Sequence, residues 1–173
     1  QVCSECMVDS FAIGLGAKSV TSTGSGIGCN SVDFLCRSCA DRMSTFAQSR
    51  DVQDRRAIDI LINNAGFGMM GPLLDVSLSD ARRQFETNVI AVLAMVQALF
   101  PYLTQPGARI ANIGSVSWVL VTPFSGAYCA TKAAVHALSD ALRMELHPFG
   151  VEVITIQPGA IRSEFGDTAG RSE

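Results

Sequence analysis

The stretch "ARIANIGSVSWVLVTPFSGAYCATKAAVHALSDALRMELHPFGVEVITIQPG", residues 108–159, changes its hydrophobic period twice, and those changes decide the fold. "ARIANIGS" (108–115) is predicted as a short strand introduced by the Pro106-Gly107 turn. From 125 to 150 apolar residues stand at 134, 135, 137, 138, 141, 142 and 146, the helical period, and Pro148 and Gly150 end the run. "VEVITIQPG" (151–159) is then a strand that closes in a turn. Strand, long helix and strand make a parallel crossover unit.

The same alternation continues upstream. "IDILIN" (58–63) is a short Ile-rich run, as a strand covered on both faces should be, and "NNAGFGMMGP" breaks it into loop. "SLSDARRQFETNVIAVLAMVQALFPYL" (77–103) opens with Ser77 and Asp80 in capping-box spacing and is helical until Pro101, amphipathic first and then apolar nearly all round. Its apolar part "VIAVLAMVQALF" (89–100) is bounded by Asn88 and Pro101 and interrupted by Gln97, too short for a membrane span, so a buried helix is expected. Ligands of such folds lie beyond the carboxyl ends of the strands, which here carry Asn63, Ser115 and Pro158. Further upstream, "KSVTSTGSGIGCN" (18–30) has a thin strand at Val20 and Thr21, then glycines at 24, 26 and 28 that would let backbone amides approach a pyrophosphate.

The 173 residues have a mean hydropathy of +0.28, a net charge of -3 and no basic run, which gives a single domain with no nucleic-acid partner. "QVCSECMVDS" lacks the basic head and apolar middle of a signal peptide, so the expectation is cytoplasmic. Two C-x2-C pairs, Cys3/Cys6 and Cys36/Cys39, raise a zinc site, but the 29 residues between them exceed ribbon spacing and no histidine is near. Reduced thiols and no metal are expected.

Tyr128 and Lys132 are four positions apart on one helix, so they share a face. A cation held beside a phenol favours the phenolate and lowers its pKa from about 10, making tyrosine usable as an acid or base. Ser115, at a strand end thirteen residues earlier, could hold a carbonyl oxygen in register with the phenol. Asn88 is a polar residue in an apolar helix and needs a partner, for example a water linked to the lysine.

"NNAG" at 63–66, Asn88 in "FETNV", Ser115 in "ANIGS", "YCATK" at 128–132 and "PGAIRS" at 158–163, in this order, resemble the short-chain dehydrogenases/reductases. The resemblance covers roughly residues 58–165. It implies an α/β fold, a Rossmann-like doubly wound parallel sheet with helices on both faces, here with part of the N-terminal half missing. Residues 1–56 would be a degenerate cofactor-binding portion and 57–165 the catalytic portion. It implies hydride transfer between NADP or NAD, with a slight preference for NADP, and a carbonyl or alcohol. Tyr128 would exchange the proton, Lys132 would lower its pKa and hold the nicotinamide ribose, Ser115 would orient the substrate and Asn88 would complete a proton relay. The cofactor would further meet Thr21, Ser22, Gly24, Gly26, Ile27, Gly28, Asp51, Asn63, Asn64, Ala65, Gly66, Pro158, Gly159, Ile161 and Ser163. Phe67, Met69, Met70, Leu120, Val121, Phe124 and Phe165 favour an apolar lipid-, steroid- or retinoid-like substrate, with acyl-dihydroxyacetone phosphate reductases and 17β-hydroxysteroid and retinol dehydrogenases the nearest in character. Peripheral association with endoplasmic reticulum or lipid droplets goes with such substrates.

The sequence departs from that family in three places. Its cofactor turn reads T-G-x-x-x-G-x-G, whereas here Ser22 follows Thr21, Gly24 is displaced, and only Gly26 and Gly28 are in register. Between Gly28 and Asn63 there are 34 residues, about half of what the family uses, and "RRA" cannot supply the crossover before "IDILIN". With the early stop after "PGAIRS", the expectation is a fragment or an internally spliced product. The competing function is a non-catalytic member that pairs with full-length relatives through helices 77–103 and 125–148, the same helices through which a homo-oligomer would form.

Overall fold

The computed structural model describes residues 12–15, 18–21, 58–103 and 106–160. Five strands, β1 (Ala12–Leu15), β2 (Lys18–Thr21), β3 (Ile60–Asn63), β4 (Arg109–Ile113) and β5 (Glu152–Ile156), form one sheet in the order β2-β1-β3-β4-β5. β3, β4 and β5 are parallel, with Leu61, Ile110 and Val153 level across them. The parallel α/β core expected from residues 58–159 is therefore present.

The N-terminal edge differs from a doubly wound sheet. β1 runs antiparallel to both β2 and β3, because two four-residue strands separated by two residues can only form a hairpin; a parallel pair needs a crossover of a dozen residues or more. Two antiparallel steps leave β2 pointing the same way as β3, and Thr21, Ala12 and Ile62 share one level. Thr21 thus leaves the sheet at the same edge as Asn63, but two strand spacings away, roughly 9–10 Å. The Gly-rich segment, Ser22 to Gly28, lies outside the described residues, as do Asp51, Ile161, Ser163, Phe165 and the four cysteines of the C-x2-C pairs. The helix expected after the Gly-rich turn, which would cover the second face, also falls there.

The β3–β4 crossover is one helical rod in two parts, α1 (Leu78–Phe85) and α2 (Ala91–Leu99), joined by a π-helical turn at Glu86–Ile90. Ser77 caps it: its Oγ accepts from the Asp80 amide at 3.1 Å and donates to the Asp80 carboxylate at 2.7 Å. Asp80 is thus too short to return to the cap backbone and closes on the hydroxyl instead. Pro101 lies in the 3-10 turn Phe100–Tyr102 that ends the rod. The run Leu78–Tyr102 is long and apolar enough to cross a membrane, yet Val92, Met95, Val96 and Leu99 are buried, and the last three join Leu61 and Ile110 in one core. The second crossover is α3 (Gly126–Leu146), followed by a 3-10 turn and by Gly150 at φ 74°, the left-handed conformation that stops helices.

Both helices pack on the face of the sheet carrying Leu61, Ile110 and Val153, since α2 and α3 contribute Met95, Val96, Leu99, Leu142 and Leu146 to the same core. "IDILIN" is not covered on both faces among the described residues: Ile58 and Leu61 are buried and Ile60 is 37% exposed. α3 is also rotated from its expected orientation. Val135, Leu142 and Leu146 are buried, but Ala134, Leu138 and Ala141 are half-buried and Ala137 is exposed. The buried face is completed by Thr131, Lys132, His136 and Ser139. Four polar groups on a buried face each need a partner, and those partners build the site.

Candidate active site

Ser115 follows β4 at the carboxyl edge and caps the 3-10 turn Val116–Trp118, its Oγ accepting from the Ser117 amide at 3.1 Å. The loop is held against β5 by Gly114 N–H to Ile156 O at 2.8 Å and Val116 N–H to Pro158 O at 3.1 Å. Tyr128 and Lys132, on the first two turns of α3, face it. Tyr128 shares a side-chain hydrogen bond with Ser115, and the Lys132 Nζ lies 5.7 Å from the centre of the tyrosine ring. All three are buried. The Lys132 ammonium donates to the Ile113 carbonyl at 2.8 Å. An ammonium has three donors, so two remain for a bound sugar hydroxyl.

The electrostatics run opposite to expectation at the tyrosine. Burial raises the Tyr128 pKa; the Ser115 hydrogen bond opposes this and the nearby Cys129 adds to it. Burial also pushes Lys132 down to about 8. A lysine held on a backbone carbonyl and partly neutral above pH 8 does not outweigh the desolvation of its neighbour, so in this state Tyr128 is a phenol across the neutral range.

Asn88 lies in the π turn and is buried. Its Oδ1 accepts from the Phe67 amide at 3.0 Å, and its Nδ2 donates to the Phe67 carbonyl at 2.9 Å and to the Thr131 hydroxyl at 3.0 Å. Its partners within the chain are therefore a loop residue and α3. Thr131 in turn donates to the Tyr128 carbonyl at 2.7 Å. Gly66 lies close to this cluster: a Cβ there would stand 3.2 Å from Asn88 Oδ1 and 3.8 Å from Lys132 Nζ.

Asn63, expected against a cofactor, turns its amide into the sheet–helix interface. It donates to Asn112 Oδ1 at 2.8 Å, Asn112 donates to Ser139 Oγ at 2.9 Å, and Ser139 donates to the Val135 carbonyl at 2.7 Å. Asn64 is exposed, Ala65 and Gly66 are half-buried, Pro158 adjoins the Ser115 loop and Gly159 has open space beside it. The open space at Gly159 and the spare donors of Lys132 fit a nicotinamide nucleotide at the carboxyl edge. The N-terminal residues assigned to it are outside the described residues, apart from Thr21 at the end of β2.

The rim is apolar. Leu120, Val121 and Phe124 on the β4–α3 loop and Met70 on the β3–α1 loop are exposed, Phe67 and Met69 are half-buried, and Leu73 and Leu74 join them. The two loops are clasped by Gly71 N–H to Phe124 O at 2.7 Å, and Phe124 sits at φ 65°, strained for a residue with a Cβ. His136, which no motif in the sequence singles out, is buried on α3, one turn beyond Lys132. Its ring stacks on Trp118 at 4.6 Å and 17°, and its Nε2 has no partner among the described residues. Burial chiefly lowers its pKa, with Lys132 and Arg143 adding to the effect and Asp140 opposing it.

Residues 31–173 match the family profile described as short chain dehydrogenase. The chain is similar to the short-chain dehydrogenase cctT of Talaromyces islandicus, 41% identical over 110 residues, 64% of this chain and 39% of that protein. It is similar to the 3-ketodihydrosphingosine reductase of Bacteroides thetaiotaomicron, 37% identical over 123 residues, 70% of this chain and 46% of that one. A short-chain dehydrogenase from Sphingobium yanoikuyae in complex with NADPH superposes with a TM-score of 0.70 at 30% identity, covering 80% of this chain and 52% of the other. The chain thus spans about half the length of the proteins it resembles or less.

Proposed function

The chain belongs to the short-chain dehydrogenase family, and from that premise we propose that it is an NAD(P)-dependent oxidoreductase that reduces the carbonyl of an apolar substrate. The observation that carries the reading is Tyr128 hydrogen-bonded to Ser115, with Lys132 one helical turn away, at the carboxyl edge of a parallel sheet. The nicotinamide, when bound, supplies the hydride to the carbonyl carbon. Ser115 orients the carbonyl oxygen, and Tyr128 gives that oxygen its proton and is left as a phenolate. Lys132 stabilises this anion across the single turn between them and offers its two spare donors to the nicotinamide ribose. A tyrosine whose pKa is raised by burial keeps its proton at neutral pH, which favours the reducing direction.

The Asn88 side chain bonds to Phe67 and Thr131 and so fixes the loop after β3 against α3, with one lone pair of its Oδ1 left for the water of a proton relay. The substrate class rests on the rim: residues 63–74 and 115–131 carry no charged side chain, and Leu120, Val121 and Phe124 are open to an acyl, steroid or retinoid body. The relative that acts on a ketodihydrosphingosine is in keeping with a lipidic ketone. A cytoplasmic setting, with peripheral contact to lipid-bearing membranes, fits that chemistry.

A second reading, a non-catalytic partner of its own kind, is favoured by Phe85, Ile90 and Met144, apolar residues exposed on the helices. Titration of NADPH and NADH against thermal stability separates the two. Ligand at 100 times its dissociation constant adds about 2.7 kcal/mol and raises Tm. We expect that shift with at least one cofactor; no shift with either sinks the enzymatic reading and leaves the pairing one.

A further inference from the structure

We propose that Gln84 is a positioning residue for this reaction: by sharing the Phe67 carbonyl with Asn88 it pins the loop after β3 to the helical rod and so holds the Tyr128–Lys132 turn in place. The proposal rests on the oxidoreductase reading above. Gln84 is completely buried near the end of α1, and its Nε2 donates to the Phe67 carbonyl at 3.1 Å. Asn88, one turn on, donates to the same oxygen at 2.9 Å and accepts from the same residue's amide at 3.0 Å. A carbonyl has two lone pairs, and both are used. One loop residue is thus gripped at both its backbone polar groups by two side chains of one rod, on either side of the start of the π turn.

From there the connection is continuous to the reacting group. Asn88 reaches Thr131 at 3.0 Å and Thr131 reaches the Tyr128 carbonyl at 2.7 Å. Gly66, the residue before Phe67, lies so close to Asn88 that a Cβ there would stand 3.2 Å from its Oδ1, so a shift of the Phe67 backbone is felt by Asn88. The other end of Gln84 argues against a packing role. Its Oε1 is buried without a partner among the described residues, a cost that a methionine or leucine filling the same space would not carry. What the amide supplies and they cannot is the N–H to Phe67.

The test uses the full 173-residue chain. Gln84→Met is nearly isosteric and lacks the donor. It is expected to speed hydrogen exchange at the Phe67 amide roughly tenfold while leaving the Ile110 and Val153 amides of the sheet unchanged. It should also lower kcat for NADPH-driven reduction of 2-decanone by roughly tenfold, with the Kd for NADPH within about twofold of the parent. A filler of space would move neither Phe67 alone nor kcat alone. Unchanged Phe67 exchange, or kcat within about twofold of the parent, overturns the proposal. Gln84→Leu, also without a donor, serves where the methionine variant does not fold, and a Phe67 amide that exchanges unprotected in the parent overturns the proposal without any variant. If the parent reduces nothing, the oxidoreductase reading fails separately, and Phe67 exchange still decides whether Gln84 anchors the loop.

Discussion

The hydroxyl of Tyr128 is under two opposed influences: burial favours the neutral phenol, and the hydrogen bond with Ser115 favours the phenolate. Burial is the larger, and the same burial pushes Lys132 from 10.5 to about 8. Spacing and strand-end position brought Tyr128, Lys132 and Ser115 forward in the sequence, and only the ordered motifs of the family resemblance gave them roles. The sign of the tyrosine's shift was not legible, because four-residue spacing says that two groups share a face and nothing about how much water either has lost. The lysine's shift has a consequence for stability. Below pH 8 both folded and unfolded chains carry the charged lysine and the full cost of burying it. Between about 8 and 10.5 the unfolded chain binds the proton more tightly, so the folded state gains as pH rises. The stability of the parent minus that of Lys132→Met should therefore increase by about 2 kcal/mol between pH 8 and about 9.5 in urea denaturation, an unscreened interior effect. A difference flat across that window, or falling, contradicts the assigned environment of Lys132.

Helix ends were legible because their signals are local: Ser77 caps the rod, Pro101 ends it, and Gly150 closes the turn after α3. What faces what was not. Gln84 and Thr131 act on a loop peptide and on a carbonyl of their own helix, and no periodicity records which loop a helix will touch. The π turn at Glu86–Ile90 likewise has no local signature, although it carries Asn88. The polar stripe of α3 makes a further demand on its neighbours. A Cβ on Gly114 would collide with the imidazole of His136, which is itself stacked on Trp118 and has little room to withdraw. Gly114→Ala should therefore destabilise the chain by about 1–3 kcal/mol, as overpacking does. Combined with His136→Ala, it should cost less than the sum of the two, because the colliding group is gone. Additive costs in denaturant unfolding would show that the glycine is not there for the histidine.

At the scale of the molecule, the strand–helix alternation from residue 58 to 159 gave the parallel core because each element carries its own period. The hairpin of β1 and β2 was missed: Ala12–Leu15 is four residues long, too short to show any period, and strand pairing is set by contacts far along the chain. That hairpin still brings Thr21 to the carboxyl edge, level with Ile62, so the segment expected to meet a pyrophosphate leaves the sheet on the side where Ser115 and Tyr128 stand. The chain spans about half the length of its relatives and still brings Ser115, Tyr128 and Lys132 together, and the proposed reduction works through Tyr128. The most direct measurement is Tyr128→Phe in the 173-residue chain, comparing NADPH affinity and reduction of an apolar ketone with the parent. The phenylalanine keeps the ring and removes only the hydroxyl, so NADPH should bind within about twofold of the parent while reduction falls by at least about a hundredfold, the scale of general-acid catalysis. A phenylalanine variant that reduces the ketone as fast as the parent would contradict the account.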